Sequence, residues 1–151
     1  MNAQDFSQLT PIEMMSALEN ALDCRLSGLA APFASYINRV CEFQTEVGER
    51  IVAKFYRPGR WSRAALQDEH NFVLDCAAAD IPVIPPMPLA NGTTLGCFDG
   101  IYFAVFPRKG GRPPHSDDEE CWNRFGALLG RMHVVGSQRS APNRLILSPE
   151  D

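Results

Sequence analysis

Positive charge is in deficit in this sequence of 151 residues: 14 Lys and Arg face 18 Asp and Glu, for a formal net charge of −4. Nucleic acid is thereby excluded as the main partner, because a phosphate-binding surface needs the opposite balance. The local cluster Arg57, Arg60 and Arg63 lies beside Asp68 and Glu69 and reads as a solvated face. Cysteines at ligand spacing are missing too. Five stand at 24, 41, 76, 97 and 121, an odd number with no C-x-x-C or C-x-x-H pair. That pattern speaks against a zinc site or a disulfide framework and for a reducing cytoplasm. Cys76 and Cys121 fall on apolar helix faces, where a free thiol acts as a small hydrophobe. No long hydrophobic run exists: the longest uncharged stretch, Ile81 to Phe98, holds five prolines or glycines before Leu95, so no membrane span is expected. The N-terminus carries Asp5 and Glu13 and no basic, apolar signal region. Glycine period, low-complexity tract and internal repeat are all absent.

What is present is ordinary globular material, 45% hydrophobic and 21% charged. A chain of this length buries roughly 68–70% of its unfolded surface, enough for a core of its own. A helix is predicted over Pro11–Leu22, capped by Thr10 with Glu13 completing a capping box, and with Met14, Met15, Leu18, Ala21 and Leu22 as its stripe. Strands follow at Arg25–Leu29, the weakest of them, at Ile37–Thr45 and at Arg50–Tyr56, the last two joined by Glu46-Val47-Gly48-Glu49. A second helix is predicted over Ser62–Ala79, with Leu66, Phe72, Val73 and Cys76 on one face. The four prolines of 81–88 exclude a central strand there. Short strands at Thr93–Cys97 and Ile101–Phe106 are bracketed by Asn91-Gly92 and Asp99-Gly100. After the basic glycine stretch 108–112, a third helix is predicted from Ser116 to Val135, with Asp117, Asp118 and Glu119 at its start and Trp122, Phe125, Leu128, Leu129 and Met132 on its face. The order of elements predicts an α+β fold. It is that of a protein-kinase-like small lobe: a five-stranded antiparallel sheet with a helix between strands 3 and 4, preceded by an N-terminal helix.

Lys54 is the most informative residue. Alternation places Val52, Lys54 and Tyr56 on one face of the strand and Ile51, Ala53 and Phe55 on the other. A lysine within an apolar strand needs a partner or an open cleft, because a lone buried ammonium is costly. Glu69, fifteen residues on, is a partner of the right type at mid-helix. Two readings stay open on the residues alone: an ion pair at a cleft, or a lysine snorkelling at a sheet edge beside a solvated glutamate.

A resemblance then becomes specific. Six strings run in order from residue 35 to 133: Ser35-Tyr36-Ile37-Asn38-Arg39-Val40, Val52-Ala53-Lys54-Phe55-Tyr56-Arg57-Pro58, Arg60-Trp61, Asp68-Glu69-His70-Asn71-Phe72, Tyr102-Phe103-Ala104-Val105-Phe106-Pro107 with Gly110-Gly111-Arg112, and Leu129-Gly130-Arg131-Met132-His133. Together they resemble the stress response kinase A family, bacterial serine/threonine kinases with the choline-kinase and aminoglycoside-phosphotransferase type of fold. The resemblance implies that Lys54 contacts ATP phosphates and that Glu69 is its helical partner. It implies that Val52 lies above the adenine and that Phe106-Pro107 forms the hinge. Ser35, Tyr36 and Asn38 then fall in the phosphate-covering loop, which lacks the G-x-G-x-x-G of protein kinases at large. The implied organisation is a helical segment over 1–24, the small lobe over 25–107, and hinge plus first large-lobe helix over 108–151.

The same resemblance implies ATP and Mg²⁺ as cofactors, a protein substrate and a cytoplasmic location. The His-Gly-Asp loop and the metal-binding aspartate of such kinases are not in this sequence. His115-Ser116-Asp117 is only superficially similar to that loop, and His133 reads as a packing residue. The chain alone is therefore expected to be inactive, and its third helix to leave apolar surface open to self-association. Two alternatives remain: a kinase of small molecules such as amino alcohols or aminoglycosides, and a non-catalytic partner-binding module.

Overall fold

Thr10 opens the first helix by exchanging hydrogen bonds with Glu13: the Glu13 amide donates to Thr10 Oγ1 at 3.3 Å and the Thr10 amide donates to Glu13 Oε2 at 2.6 Å. This helix, α1 (Pro11–Leu22), buries Met14, Ala17 and Leu18. The computed structural model describes residues 6–111 and 119–146. Five strands follow: β1 (Leu26–Phe33), β2 (Arg39–Thr45), β3 (Arg50–Phe55), β4 (Gly96–Phe98) and β5 (Ile101–Pro107). They form one antiparallel sheet in the order β1-β2-β3-β5-β4. Helix α2 (Arg63–Ala78) stands between β3 and β4 in the chain and is capped by Ser62 Oγ, which accepts from the Ala65 amide. Helix α3 (Glu119–Gly136) comes last. The α+β small-lobe architecture is the observed one.

The sheet divides the apolar residues by parity. Cys41, Phe43, Ile51, Ala53, Phe55, Phe103 and Val105 form the main core together with Met14, Ala17 and Leu18 of α1. Phe55 and Phe103 lie with ring centroids 5.3 Å apart. On the opposite face, Tyr56, Leu95 and Ala104 pack with Leu66 of α2. Helix α3 packs on the far side of α2, where Val135, Leu128 and Met132 meet Cys76, Phe72 and Ile81. Its Trp122, Phe125 and Leu129 stay exposed. The expected helix start at Ser116, with His115, Asp117 and Asp118, lies outside the described residues, as does Arg112.

Two strands depart from the pattern-based reading. β1 reaches Phe33 rather than ending at Leu29. Its Gly-Leu-Ala-Ala-Pro sequence is weakly β-like, but it is an edge strand held by backbone pairing to β2, where Pro32 costs no central ladder bond. β4 begins at Gly96, not Thr93. Thr93 instead closes a turn on Asn91, its amide and hydroxyl both donating to Asn91 Oδ1 at 3.0 and 2.8 Å. The turn into β5 uses Asp99 and Gly100 at φ 47° and 77°, the left-handed pair that a type I′ hairpin demands.

Gly96 sits directly against the buried Phe103 ring; a Cβ there would lie 2.3 Å from Phe103 Cζ. Gly96→Ala should therefore destabilise the fold by about 1–3 kcal/mol through overpacking. Chemical denaturation of the variant checks this, and an unchanged midpoint would show that β4 yields freely.

Candidate functional site

Burial of Ile51, Ala53 and Phe55 on the α1 side turns Val52 and Lys54 to the other face of β3. Register adds Val40 and Ala104 beside Lys54, and Glu42 and Phe106 beside Val52. Lys54 Nζ donates to Glu69 Oε1 at 3.1 Å, with side chains 27% and 29% exposed. The same ammonium lies 4.6 Å from the centroid of the Tyr56 ring. Glu69 reaches Lys54 because α2 starts at Ser62 and carries this residue two turns along, above the sheet face that Leu66 covers. The other carboxylate oxygen, Oε2, accepts from Arg144 Nη1 at 3.3 Å.

Under this pair runs a buried chain of polar groups. Tyr56 Oη and His70 Nε2 are 2.8 Å apart, and His70 Nδ1 is 2.8 Å from Thr94 Oγ1. Burial lowers the His70 pKa; Glu69 opposes that shift and Lys54 reinforces it. Burial likewise pushes the Tyr56 phenol above its ordinary value, with Glu69 adding to the effect. Both groups are neutral near pH 7, so Tyr56 is a fixed, uncharged ring under the ammonium.

Beside Val52, on the sheet face it shares with Lys54, opens a groove of about 280 Å³, lined by Phe33, Val52, Ile84, Phe106, Pro107, Arg108 and Lys109. It is predominantly apolar and has room for a flat heteroaromatic ring. Lys54 lies two residues beyond Val52 along β3, roughly 6.5 Å at the usual strand rise, a spacing suited to a base at one end and phosphates at the other. Phe106 and Pro107 are the last rungs of β5 against β3, and the chain leaves the sheet at Arg108. There Glu42, 8% exposed, accepts from Arg108 Nε at 3.0 Å and also pairs with Arg50, while the Arg108 guanidinium lies over the Phe33 ring at 5.5 Å. Three larger cavities lie elsewhere: one of about 740 Å³ beside Glu19, Asp23 and Glu49, one of about 680 Å³ beside Phe6 and Arg39, and one of about 380 Å³ beside Leu89 and Phe98.

The loop candidates are placed less closely. Asn38 Oδ1 accepts from the Arg57 amide at 3.2 Å, which ties the loop to the end of β3. Ser35 and Tyr36 line the cavity beside Arg39 and not the groove under Val52, and Tyr36 is fully exposed. The structure thus gathers Val52, Phe106 and Pro107 in the groove and pairs Lys54 with Glu69 on the same sheet face, and leaves Ser35, Tyr36 and Asn38 at the cavity beside Arg39. Phe33, Ile84, Arg108, Thr94 and Arg144 went unmarked by sequence pattern. Ile84 sits in the proline run before β4, and its position above the groove comes from how that run crosses the sheet, which no spacing rule reports. Among the described residues, no group of three or more His, Cys, Asp or Glu could hold a metal ion, and no helix is long and apolar enough to cross a membrane. All five cysteines are free thiols.

A lysine–glutamate pair on one face of a five-stranded antiparallel sheet, with a helix between strands 3 and 4, is the arrangement of a kinase-like small lobe. The chain belongs to the phosphotransferase enzyme family (APH), whose profile matches residues 30–150. Among curated proteins it is 40% identical over 139 residues to stress response kinase A of Escherichia coli (strain K12), and 41% identical over 138 residues to the serine/threonine protein kinase RdoA of Salmonella typhimurium. Each match covers 91% of this chain and 42% of the relative, so the chain spans less than half the length of these proteins. Among solved structures it superposes on amicoumacin kinase hAmiN in complex with AMP-PNP, Ca²⁺ and Ami, with a TM-score of 0.68 and 21% identity over 89% of this chain and 41% of that one. It also superposes on the spectinomycin phosphotransferase APH(9)-Ia, with a TM-score of 0.66 and 11% identity over 93% of this chain and 44% of that one.

His70 generates a pH prediction. Its folded pKa lies below the unfolded value, so the unfolded chain takes up a proton that the folded chain refuses. Stability should therefore fall as pH drops below about 6.5, by at most roughly 1.4 kcal/mol per pH unit, until the folded pKa is reached. Urea midpoints at pH 7.5 and 5.5 should show a larger acid loss in the wild type than in His70→Gln. Equal losses would mean that His70 titrates freely.

Proposed function

We propose that this chain is the ATP-binding lobe of a kinase that phosphorylates serine or threonine hydroxyls of proteins in the cytoplasm. The observation that carries the reading is the Lys54–Glu69 contact at 3.1 Å beside the Val52–Phe106 groove. Mg²⁺-ATP brings the transferable phosphoryl group and the cation that offsets its charge. Val52, Phe106, Ile84 and Phe33 hold the adenine, and Phe106 and Pro107 present backbone at its edge. Lys54 orients the α- and β-phosphates, and Glu69 keeps the ammonium aimed at them. In this reading the β1–β2 loop that carries Ser35, Tyr36 and Asn38 shifts from beside Arg39 to close over the phosphates. The division into a helical segment (1–24), a small lobe (25–107) and a hinge with the first large-lobe helix (108–151) belongs to the same reading. So does a covering for the exposed Trp122, Phe125 and Leu129, by the large lobe or, in the isolated chain, by a second copy.

The name of one curated relative, the serine/threonine protein kinase RdoA at 41% identity, favours a protein acceptor. A small-molecule acceptor is the second reading, favoured by the names of the two structural neighbours. At 21% and 11% identity that likeness speaks for the fold alone, and the lobe described here does not choose the acceptor.

Lys54→Met, similar in length and uncharged, should lower autophosphorylation of the full-length protein at least about 100-fold, the scale of about 2.7 kcal/mol lost in the transition state, with the circular dichroism spectrum unchanged. Undiminished activity would show that another cation holds the phosphates. Absence of phosphoryl transfer in the wild type, to protein or small molecule, would leave the non-catalytic binding module.

A further inference from the structure

The last turns of α3 and the segment that follows it run back along α2 and touch it at intervals. Arg131 Nη2 donates to the Ala79 and Asp80 carbonyls at 2.7 and 3.1 Å, at the electronegative end of α2. Arg139 grips Asp75 with two nitrogens, Nε at 2.6 Å and Nη2 at 2.9 Å. The Asn143 amide and side chain both donate to Asp68 Oδ2 at 3.1 Å. Arg144 ends the series: its guanidinium lies 4.1 Å from the Trp61 ring centroid and reaches Glu69 Oε2 at 3.3 Å. As the chain advances from 131 to 144, its contacts retreat along α2 from the C-terminus to the middle.

We propose that Arg144 is a positioning residue for the Lys54–Glu69 pair, acting through Glu69 to hold α2 and its carboxylate in the nucleotide-competent place. The proposal rests on the kinase reading above. One carboxylate serves two cations: Oε1 takes Lys54 and Oε2 takes Arg144. With both oxygens engaged, the Glu69 side chain has one rotamer that satisfies both partners, and Lys54 meets a fixed acceptor. Trp61 matters because it belongs to the turn between β3 and α2 and packs in the second core cluster. Arg144 therefore links that turn, α2 and the post-α3 segment at one point. All three charged side chains are only 27–31% exposed, and the Arg144 charge also acts directly on Tyr56, lowering its pKa against the rise that burial causes. The part of its influence that passes through Glu69 is what a double-mutant cycle isolates.

The experiment is a double-mutant cycle in the full-length protein, reading apparent kcat/KM for ATP in autophosphorylation. Arg144→Gln should lower it about fivefold, with no change in thermal midpoint. In a Glu69→Gln background, the same change should cost less than about 1.5-fold, because the carboxylate it steadies is gone. Arg144→Lys, which keeps the cation, should recover most of the loss. Equal losses in both backgrounds, no loss in the wild type, or no recovery with lysine overturns the proposal. Lys54→Met is run alongside. If it stays fully active, the kinase reading fails and this inference falls with it; if it is inactive while Arg144→Gln matches the wild type, the inference alone fails.

Discussion

Side-chain alternation along β3 is the constraint from which the site follows. Ile51, Ala53 and Phe55 are at most 3% exposed and anchor the strand to α1 and to β2 and β5. Burying residues such as Ile51 and Phe55 contributes roughly 1.5–3 kcal/mol each. A one-residue slip would exchange them for Val52, Lys54 and Tyr56 and place an ammonium in the main core. The Lys54–Glu69 pair, about a quarter exposed on each side, contributes no more than about 1 kcal/mol. Apolar burial, and not the ion pair, therefore decides where Lys54 points. The pair then fixes its direction within a face already chosen.

Given that face, neighbouring elements each complete one part. β5 supplies Ala104 and Phe106 in register with Lys54 and Val52. Helix α2, capped by Ser62 and seated by Leu66, brings Glu69 to the ammonium. Buried and neutral, the Tyr56–His70–Thr94 chain ties β3, α2 and the approach to β4 together beneath it. Glu42 holds Arg50 and Arg108 where the chain leaves the sheet, so the end of β5 is pinned beside the groove. Lys54, Glu69, Glu42 and Arg108 are thus each committed to a partner on another element. In the proposed reading such a lobe binds and orients the nucleotide, and the His-Gly-Asp loop that supplies the base in such kinases is not in this sequence.

Much of this was legible in the sequence, for identifiable reasons. Thr10 and Glu13, Ser62, and Asp99-Gly100 are local signals, read from a few neighbouring residues, and α1, α2 and the β4–β5 turn follow them closely. Lys54 stood out because a charged residue within a strongly β-like run breaks the pattern around it. β1 was under-read because its length comes from pairing with β2 and not from its own side chains. Thr93 and Thr94 looked like strand residues but serve a turn and a histidine. Ile84, Arg108 and Arg144 were invisible for a different reason. Each acts across 30 or more residues of sequence, and long-range contact leaves no local periodicity.

The groove under β3 and β5 is the proposed seat of the nucleotide, with Lys54 at its phosphates. A crystal structure of the full-length protein with AMP-PNP and Mg²⁺ tests it directly. The adenine should lie between Val52 and Ile84 against Phe106, and Lys54 Nζ should be within about 3 Å of an α- or β-phosphate oxygen while still touching Glu69. A nucleotide seated in any of the three larger cavities, or one whose phosphates are held without Lys54, would contradict it.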